Sequence, residues 1–178
     1  MMKHWFSFFL LALTLTACGQ QKTQAPPQAV PVVAQKNNEI TGRAVNIADG
    51  DTFTLLTGDT TRIKVRLLGI DAPEKKQPFG QKAKEALGQL LEGQQVTIHV
   101  ENKDRYGRSV ADVYANGQWV NLALVEKGYA WWYEEYSKDQ RLARAQQDAQ
   151  ARRAGLWSEP HPVAPWDFRK QQKKKRKK

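Results

Sequence analysis

The amino-acid sequence predicts an α+β fold that is mainly β: five short strands closing a Greek-key barrel, with three α-helices packed on it. Three observations predict it. Hydrophobic periodicity starts at two, switches to that of a helix after three strands, returns to two for two strands and ends in two more helical stretches. The strands are short and separated by Gly, Asp and Asn turn signals, the spacing of a small partly open barrel of the oligonucleotide-binding type. The 178 residues, 40% of them hydrophobic, suffice for one compact domain with a modest core and not for two large ones.

The β-rich runs are Ile40 to Ile47, Thr52 to Leu56 and Thr61 to Ile70, parted by Asp49-Gly50-Asp51 and Thr57-Gly58-Asp59. In the third run Arg62, Lys64 and Arg66 alternate with Ile63, Val65 and Leu67, which puts aliphatic side chains on one face and basic ones on the other. After Pro78, the positions Ala83, Ala86, Leu87, Leu90 and Leu91 follow helical spacing up to a stop at Gly93. Strands from Val96 to Glu101 and Arg108 to Tyr114 follow, the second leaving through Asn116-Gly117. A nearly all-apolar helix from about Asn121 to Lys127 stops at Gly128, and a third helix starts at Ser137, where Ser137 and Gln140 have capping-box spacing, and ends at Gly155.

The N-terminus reads Met1-Met2-Lys3-His4 and then an apolar run from Trp5 to Leu15, too short to span a bilayer and suited to the core of a secretory signal. Leu15-Thr16-Ala17-Cys18-Gly19 closes it and resembles the bacterial lipobox, which makes 1–18 a lipoprotein-type signal and Cys18 the lipidation site. Residues 19–38, rich in Gln, Pro, Ala and Lys, read as a flexible tether. The expected location is the bacterial cell envelope, held by lipid to the outer membrane where the cell has one, or outside the cell. A single Cys excludes an intrachain disulfide framework and paired-cysteine zinc sites.

The formal net charge of +10 is unevenly spread. Between Glu39 and Phe168, 17 basic residues meet all 18 acidic ones, whereas Arg169 to Lys178 carries +8 and reads as an unfolded accessory tail for nucleic-acid backbone or anionic lipid. Nucleic-acid chemistry therefore has to be argued from the core. Asp51 lies directly before a strand, and Asp71 and Glu74 lie directly after one in Gly69-Ile70-Asp71-Ala72-Pro73-Glu74. Two carboxylates at strand ends with a backbone carbonyl make an all-oxygen site for calcium or magnesium, and no Cys or His cluster offers a softer metal a home. Arg66, five residues before Asp71, and Arg108, in Asp104-Arg105-Tyr106-Gly107-Arg108, add guanidinium groups suited to phosphate oxygens. Glu74, left off the metal, suits a general base that activates water. His99 and His161 have no partner at ligand spacing and read as structural or surface residues.

Asp49-Gly50-Asp51-Thr52, Val65 through Glu74, and Asp104 through Arg108 resemble, in order and spacing, the successive motifs of the staphylococcal nuclease (thermonuclease) family. The resemblance covers about residues 39–157, is extended by Val120 to Gly128 and Ala154-Gly155-Leu156-Trp157, and leaves 158–178 as a Pro-rich extension and basic tail. Pro165-Trp166-Asp167-Phe168-Arg169 looks like the C-terminal extension of many bacterial members. The resemblance implies that Asp51, Asp71 and the Ala72 carbonyl ligate Ca2+, that Arg66 and Arg108 contact the scissile phosphate, and that Glu74 is the base. Arg105 and Tyr106, in the same motif, are expected on the substrate side. The implied activity is calcium-dependent, nonspecific hydrolysis of DNA and RNA leaving 3′-phosphate ends. The loop Lys75 to Gly80 is short compared with the family prototype, and the aromatic run Tyr129 to Tyr136 divides between core packing and a base-stacking platform. The rival reading is a noncatalytic nucleic-acid-binding lipoprotein on the same fold, and a third is an envelope interaction protein whose carboxylates are structural. No protein partner is evident, and a monomer is expected.

Overall fold

The computed structural model describes residues 38–177; the expected signal segment with Cys18, and nearly all of the expected tether, lie outside the described residues. The elements are β1 (Glu39–Ile47), β2 (Thr52–Leu56), β3 (Arg62–Leu67), β4 (Ile70–Asp71), α1 (Gly80–Leu91), β5 (Val96–Lys103), β6 (Ser109–Ala115), β7 (Gln118–Trp119), α2 (Val120–Glu126), β8 (Trp131–Trp132), α3 (Gln140–Ala151), a 3-10 turn (Gly155–Ser158) and α4 (Pro165–Lys175). Antiparallel pairing runs β3-β2-β1-β5-β6, and β3 closes the circle by pairing parallel with β6 through Val65↔Ser109, Arg66↔Val110 and Leu67↔Ala111. The result is the five-stranded barrel that the sequence predicts.

Alternation along the strands fills the barrel. Phe53 and Leu55 of β2, Val65 and Leu67 of β3, Val96 and Ile98 of β5, and Ala111 and Val113 of β6 are all buried. Each large aliphatic or aromatic side chain removed from water in this way contributes about 1.5–3 kcal/mol. α1 caps the barrel with Ala83, Ala86, Leu87 and Leu91, and α2 with Val120, Leu124 and Val125.

Three sequence expectations need correction. The run Thr61 to Ile70 is not one strand: Gly69 adopts φ +70 and turns the chain out of β3, so that Ile70 and Asp71 pair instead with Trp132 and Trp131 of β8. Any side chain at Gly69 would be strained and would approach the Ser137 Cβ to 2.6 Å. The third helix starts later than Ser137, because the Asp139 carboxylate, not the Ser137 hydroxyl, is its cap and accepts from the Arg141 N–H at 2.8 Å. Among the described residues the α-helices number four, not three, since Pro165 to Lys175, which takes in most of the basic tail, is helical. Pro165 at its first turn, Asp167 near its N-terminus and Lys173, Lys174 and Lys175 near its C-terminus all favour that helix.

Asn121, fully buried at the start of α2, ties the helix to the barrel. Its Oδ1 accepts from the Val113 N–H (3.0 Å), and its Nδ2 donates to the carbonyls of Leu68 (3.0 Å) and Ala111 (3.2 Å). Asn121→Ala leaves buried backbone groups unpaired and is expected to cost about 3 kcal/mol or more in denaturant unfolding. A loss below about 1 kcal/mol would contradict this role for Asn121.

Candidate active site

The turn after β1, the exit of β3 and the β4 segment meet at one mouth of the barrel. Asp51 enters this site from the turn before β2, where its own N–H donates to Asp49 Oδ1 at 3.1 Å. Asp71 is delivered by the Gly69 turn and β4. The two carboxylates are 6% and 1% exposed, burial that an acid tolerates only with charged or hydrogen-bonding partners.

Arg66 supplies the first of these. Its Nη1 lies 3.2 Å from Asp51 Oδ2 and its Nη2 3.0 Å from Asp71 Oδ1, so one guanidinium forks between the two acids. The Ala72 N–H donates to Asp51 Oδ2 at 2.7 Å, and the Thr52 hydroxyl donates to Asp51 Oδ1 at 3.1 Å. Burial holds the Asp71 carboxyl above the usual carboxylate range, against the pull of Arg169 and Arg66. Burial, reinforced by the Asp51 carboxylate, likewise pushes the Asp49 carboxyl up to about 6.

Glu74 follows on a tight loop that leads into α1. Its N–H donates to Gln77 Oε1 at 3.1 Å, the Gln77 N–H donates back to the Glu74 carbonyl at 2.7 Å, and the Gly80 N–H closes on the Gln77 carbonyl at 3.0 Å. A Cβ at Gly80 would overlap the Glu74 carbonyl oxygen, so the loop can close this tightly only on glycine.

Arg108 stands beside the acids without touching them. Its Nε donates to Asp104 Oδ2 at 2.7 Å, and its Nη1 to Thr52 Oγ1 at 3.2 Å, the same hydroxyl that bonds Asp51. Burial would raise the Asp104 carboxyl, but hydrogen bonds from the Arg108 side chain and backbone and from the Tyr106 N–H outweigh it and hold that carboxyl low. Arg105 and Tyr106, at the tip of the β5–β6 turn, contact each other, and the Tyr106 N–H donates to Asp104 Oδ1 at 2.9 Å. Arg105 Nη2 donates to the Tyr106 hydroxyl at 2.8 Å, and the ring is 68% exposed.

The aromatic run divides between packing and surface. Trp132 packs on the barrel core, Trp131 meets Trp157 at 4.3 Å between ring centroids, and Tyr136 is exposed. Sequence reasoning missed three groups at the site: Thr52, which links Arg108 to Asp51; Gln77, which shapes the Glu74 loop; and Arg169 of α4. Arg169 Nη2 lies 2.8 Å from Asp71 Oδ2, and its Nη1 2.8 Å from Glu74 Oε1 and 3.2 Å from Asp71 Oδ1. Burial disfavours the Arg169 charge, but its hydrogen bonds to Asp71 and Glu74 outweigh that and raise its pKa.

Among the described residues no three His, Cys, Asp or Glu side chains form a ready-made metal cluster. The oxygen set expected from the sequence, two carboxylates with a main-chain carbonyl, nevertheless fits a hard dication. Among the described residues Asp51 Oδ1 and Asp71 Oδ2 each have a single hydrogen-bond partner, leaving lone-pair capacity. The buried acids already draw cationic groups, one guanidinium bonding both oxygens of Asp71.

Carboxylates and guanidinium groups gathered on such a barrel are the groups a phosphodiester hydrolase needs, and the relatives of the chain show that class. Residues 64–159 match the family described as staphylococcal nuclease homologue. An uncharacterized endonuclease of Haemophilus influenzae is 41% identical over 167 residues, covering 94% of this chain and 84% of the relative. Protein ParB of Escherichia coli is 38% identical over 149 residues, 78% of this chain and 84% of the relative. The staphylococcal-like nuclease CAN1 of Arabidopsis thaliana is 41% identical over 109 residues, 61% of this chain but 34% of that longer protein. The chain belongs to the staphylococcal nuclease family, and it is a nuclease.

Proposed function

We propose that this nuclease hydrolyses DNA and RNA without sequence preference, requires calcium, and breaks the bond to the 5′ oxygen to leave 3′-phosphate ends. The observation that carries this reading is the fork of Arg66 between Asp51 and Asp71, with Glu74 on the adjoining loop. Asp51, Asp71 and the Ala72 carbonyl would hold calcium, which when bound polarises the phosphodiester and neutralises charge on it.

The chain's own residues supply the rest. Arg66 and Arg108 bind the non-bridging phosphate oxygens and stabilise the charge that gathers on phosphorus. Glu74 Oε2 has no hydrogen-bond partner among the described residues and is available to take a proton from the attacking water. The water oxygen bonds to phosphorus as the bond to the 5′ oxygen breaks, and the departing 5′ oxygen takes a proton from solvent, to which Glu74 returns the one it accepted. Arg105 and Tyr106 would steady flanking nucleotides, a reading supported by the exposure of the Tyr106 ring, which could stack on any base.

We further propose that the protein is exported and held to the envelope by a lipid on Cys18, a reading supported by the apolar run ahead of that residue. Among the described residues no helix is long and apolar enough to cross a membrane.

The test uses the purified full chain with single-stranded DNA, double-stranded DNA and RNA, in calcium and in excess chelator. Cleavage of all three in calcium, with products whose 3′ ends release phosphate to a phosphatase, is the expected result. Salt-sensitive binding without cleavage would replace this reading with the noncatalytic one.

A further inference from the structure

The segment from Val163 to Arg169, which composition assigns to an extension beyond the domain, forms one wall of the acid cluster. Two links join it to the Glu74 loop. Gln77, buried in that loop, donates from Nε2 to the Val163 carbonyl at 2.6 Å while its Oε1 accepts from the Glu74 N–H. Arg169 then takes the Glu74 side chain itself: its Nη1 is the only hydrogen-bond donor to that carboxylate among the described residues.

The aim of Arg169 is set one helical turn earlier. Trp166 stacks on Tyr133 with ring centroids 5.0 Å apart and planes 14° from parallel, and meets Trp131 edge-on at 5.7 Å. Trp166 and Arg169 are three residues apart on α4 and therefore share a face. Docking the indole against β8 and the segment after it turns the guanidinium toward the acids, while Lys170 stays largely in solvent.

Glu74 needs this support more than either aspartate does. Asp51 and Asp71 are enclosed, whereas the Glu74 side chain is 40% exposed and holds one charged partner among the described residues. A half-exposed carboxylate with several rotatable bonds samples many positions in water, and a general base displaced by about 1 Å loses on the order of a hundredfold in rate. Arg169 bridges Glu74 Oε1 to both oxygens of Asp71 with one rigid fork. That ties Glu74 to a buried group and leaves Oε2 without a hydrogen-bond partner among the described residues.

We infer that Arg169 is a positioning residue of this nuclease, which holds the base Glu74 in register with Asp71, and that α4 is a working part of the active site. The inference rests on the hydrolytic reading of Asp51, Asp71 and Glu74 given above.

The test measures kcat and KM on a labelled single-stranded oligonucleotide in saturating calcium, using the full chain and its Arg169→Gln, Arg169→Lys, Glu74→Gln and Arg169→Gln/Glu74→Gln forms. Calcium binding without substrate is measured alongside by calorimetry, and folding by thermal melting. Arg169→Gln is expected to lower kcat by roughly 10- to 100-fold with little change in KM. Arg169→Lys, which keeps the charge but not the fork, recovers part of the loss. In the Glu74→Gln background the same substitution has no further effect, because the group it positions is already gone. Calcium affinity stays the same or tightens, since a competing cation has left Asp71.

Losses that multiply in the double variant, or calcium affinity that falls in step with kcat, would overturn the inference in favour of a structural role. Faster cleavage by Arg169→Gln at limiting calcium would overturn it in favour of an inhibitory latch. A wild-type chain that cleaves no faster than Arg169→Gln overturns the inference alone. A wild-type chain that does not cleave at all overturns the hydrolytic reading, and the inference falls with it.

Discussion

Glu74→Gln is expected to lower kcat by about 10²- to 10⁴-fold, the range found for removing a positioned general base. The substitution keeps the shape of the side chain and removes the lone-pair basicity that accepts the proton of water. The loop should stay closed, because the hydrogen bonds that close it run through the Glu74 backbone, Gln77 and Gly80 rather than through the carboxylate. Amide Oε1 can still accept from Arg169, so α4 keeps its place. Substrate affinity and melting temperature should therefore change little while turnover collapses. Single-turnover kinetics with saturating protein separate the two quantities, and a kcat within about threefold of wild type would remove Glu74 from the chemistry.

Arg66→Ala should act on both stability and rate. The wild-type guanidinium is 14% exposed at its side chain and neutralises two acids that are nearly enclosed. Removing one partner from a buried ion pair costs about 3–5 kcal/mol, because the remaining charge has no water to turn to. The lower end, about 3 kcal/mol, is expected because Arg169 still faces Asp71, and the Ala72 N–H and Thr52 hydroxyl still face Asp51. The rate should fall by a further factor of roughly 10²–10³, the usual loss when a donor to the developing phosphate charge is removed. Arg66→Lys restores a charge but not the fork, so it should recover more stability than activity. Urea unfolding and initial cleavage rates on the same preparations measure both effects. A variant equal to wild type in unfolding free energy would show that the fork carries no net stabilisation.

Much of the barrel was legible because its strands alternate. Ile63, Val65 and Leu67 declare one face of β3, and Leu87 and Leu91 declare the buried stripe of α1 through helical spacing. The acids and Arg66 were legible for a different reason: they cluster at strand ends, where a soluble core has little need of carboxylates. The break after Leu67 was harder, since Leu68-Gly69-Ile70 reads as continuous strand until the left-handed φ of Gly69 and the contact with Ser137 are known. Asp139 competes locally with Ser137 for the cap, and the competition is settled by which oxygen reaches the Arg141 N–H.

Arg169 was illegible for a physical reason. It reaches Glu74 across 95 residues of sequence, and the block it opens carries a charge density that composition assigns to solvent. The helix signal was present in Pro165, Asp167 and the terminal lysines. What anchors the helix is Trp166 on Tyr133, a tertiary contact that no local pattern announces.

The most direct test of a hydrolytic centre built on these acids is the cleavage rate of one labelled oligonucleotide as calcium is titrated from excess chelator to saturation, with wild type beside Asp71→Asn. Cleavage absent in chelator, saturating with calcium, and abolished in a folded Asp71→Asn protein is the expected result. Equal cleavage in chelator, or an Asp71→Asn protein that cuts at the wild-type rate, would contradict it.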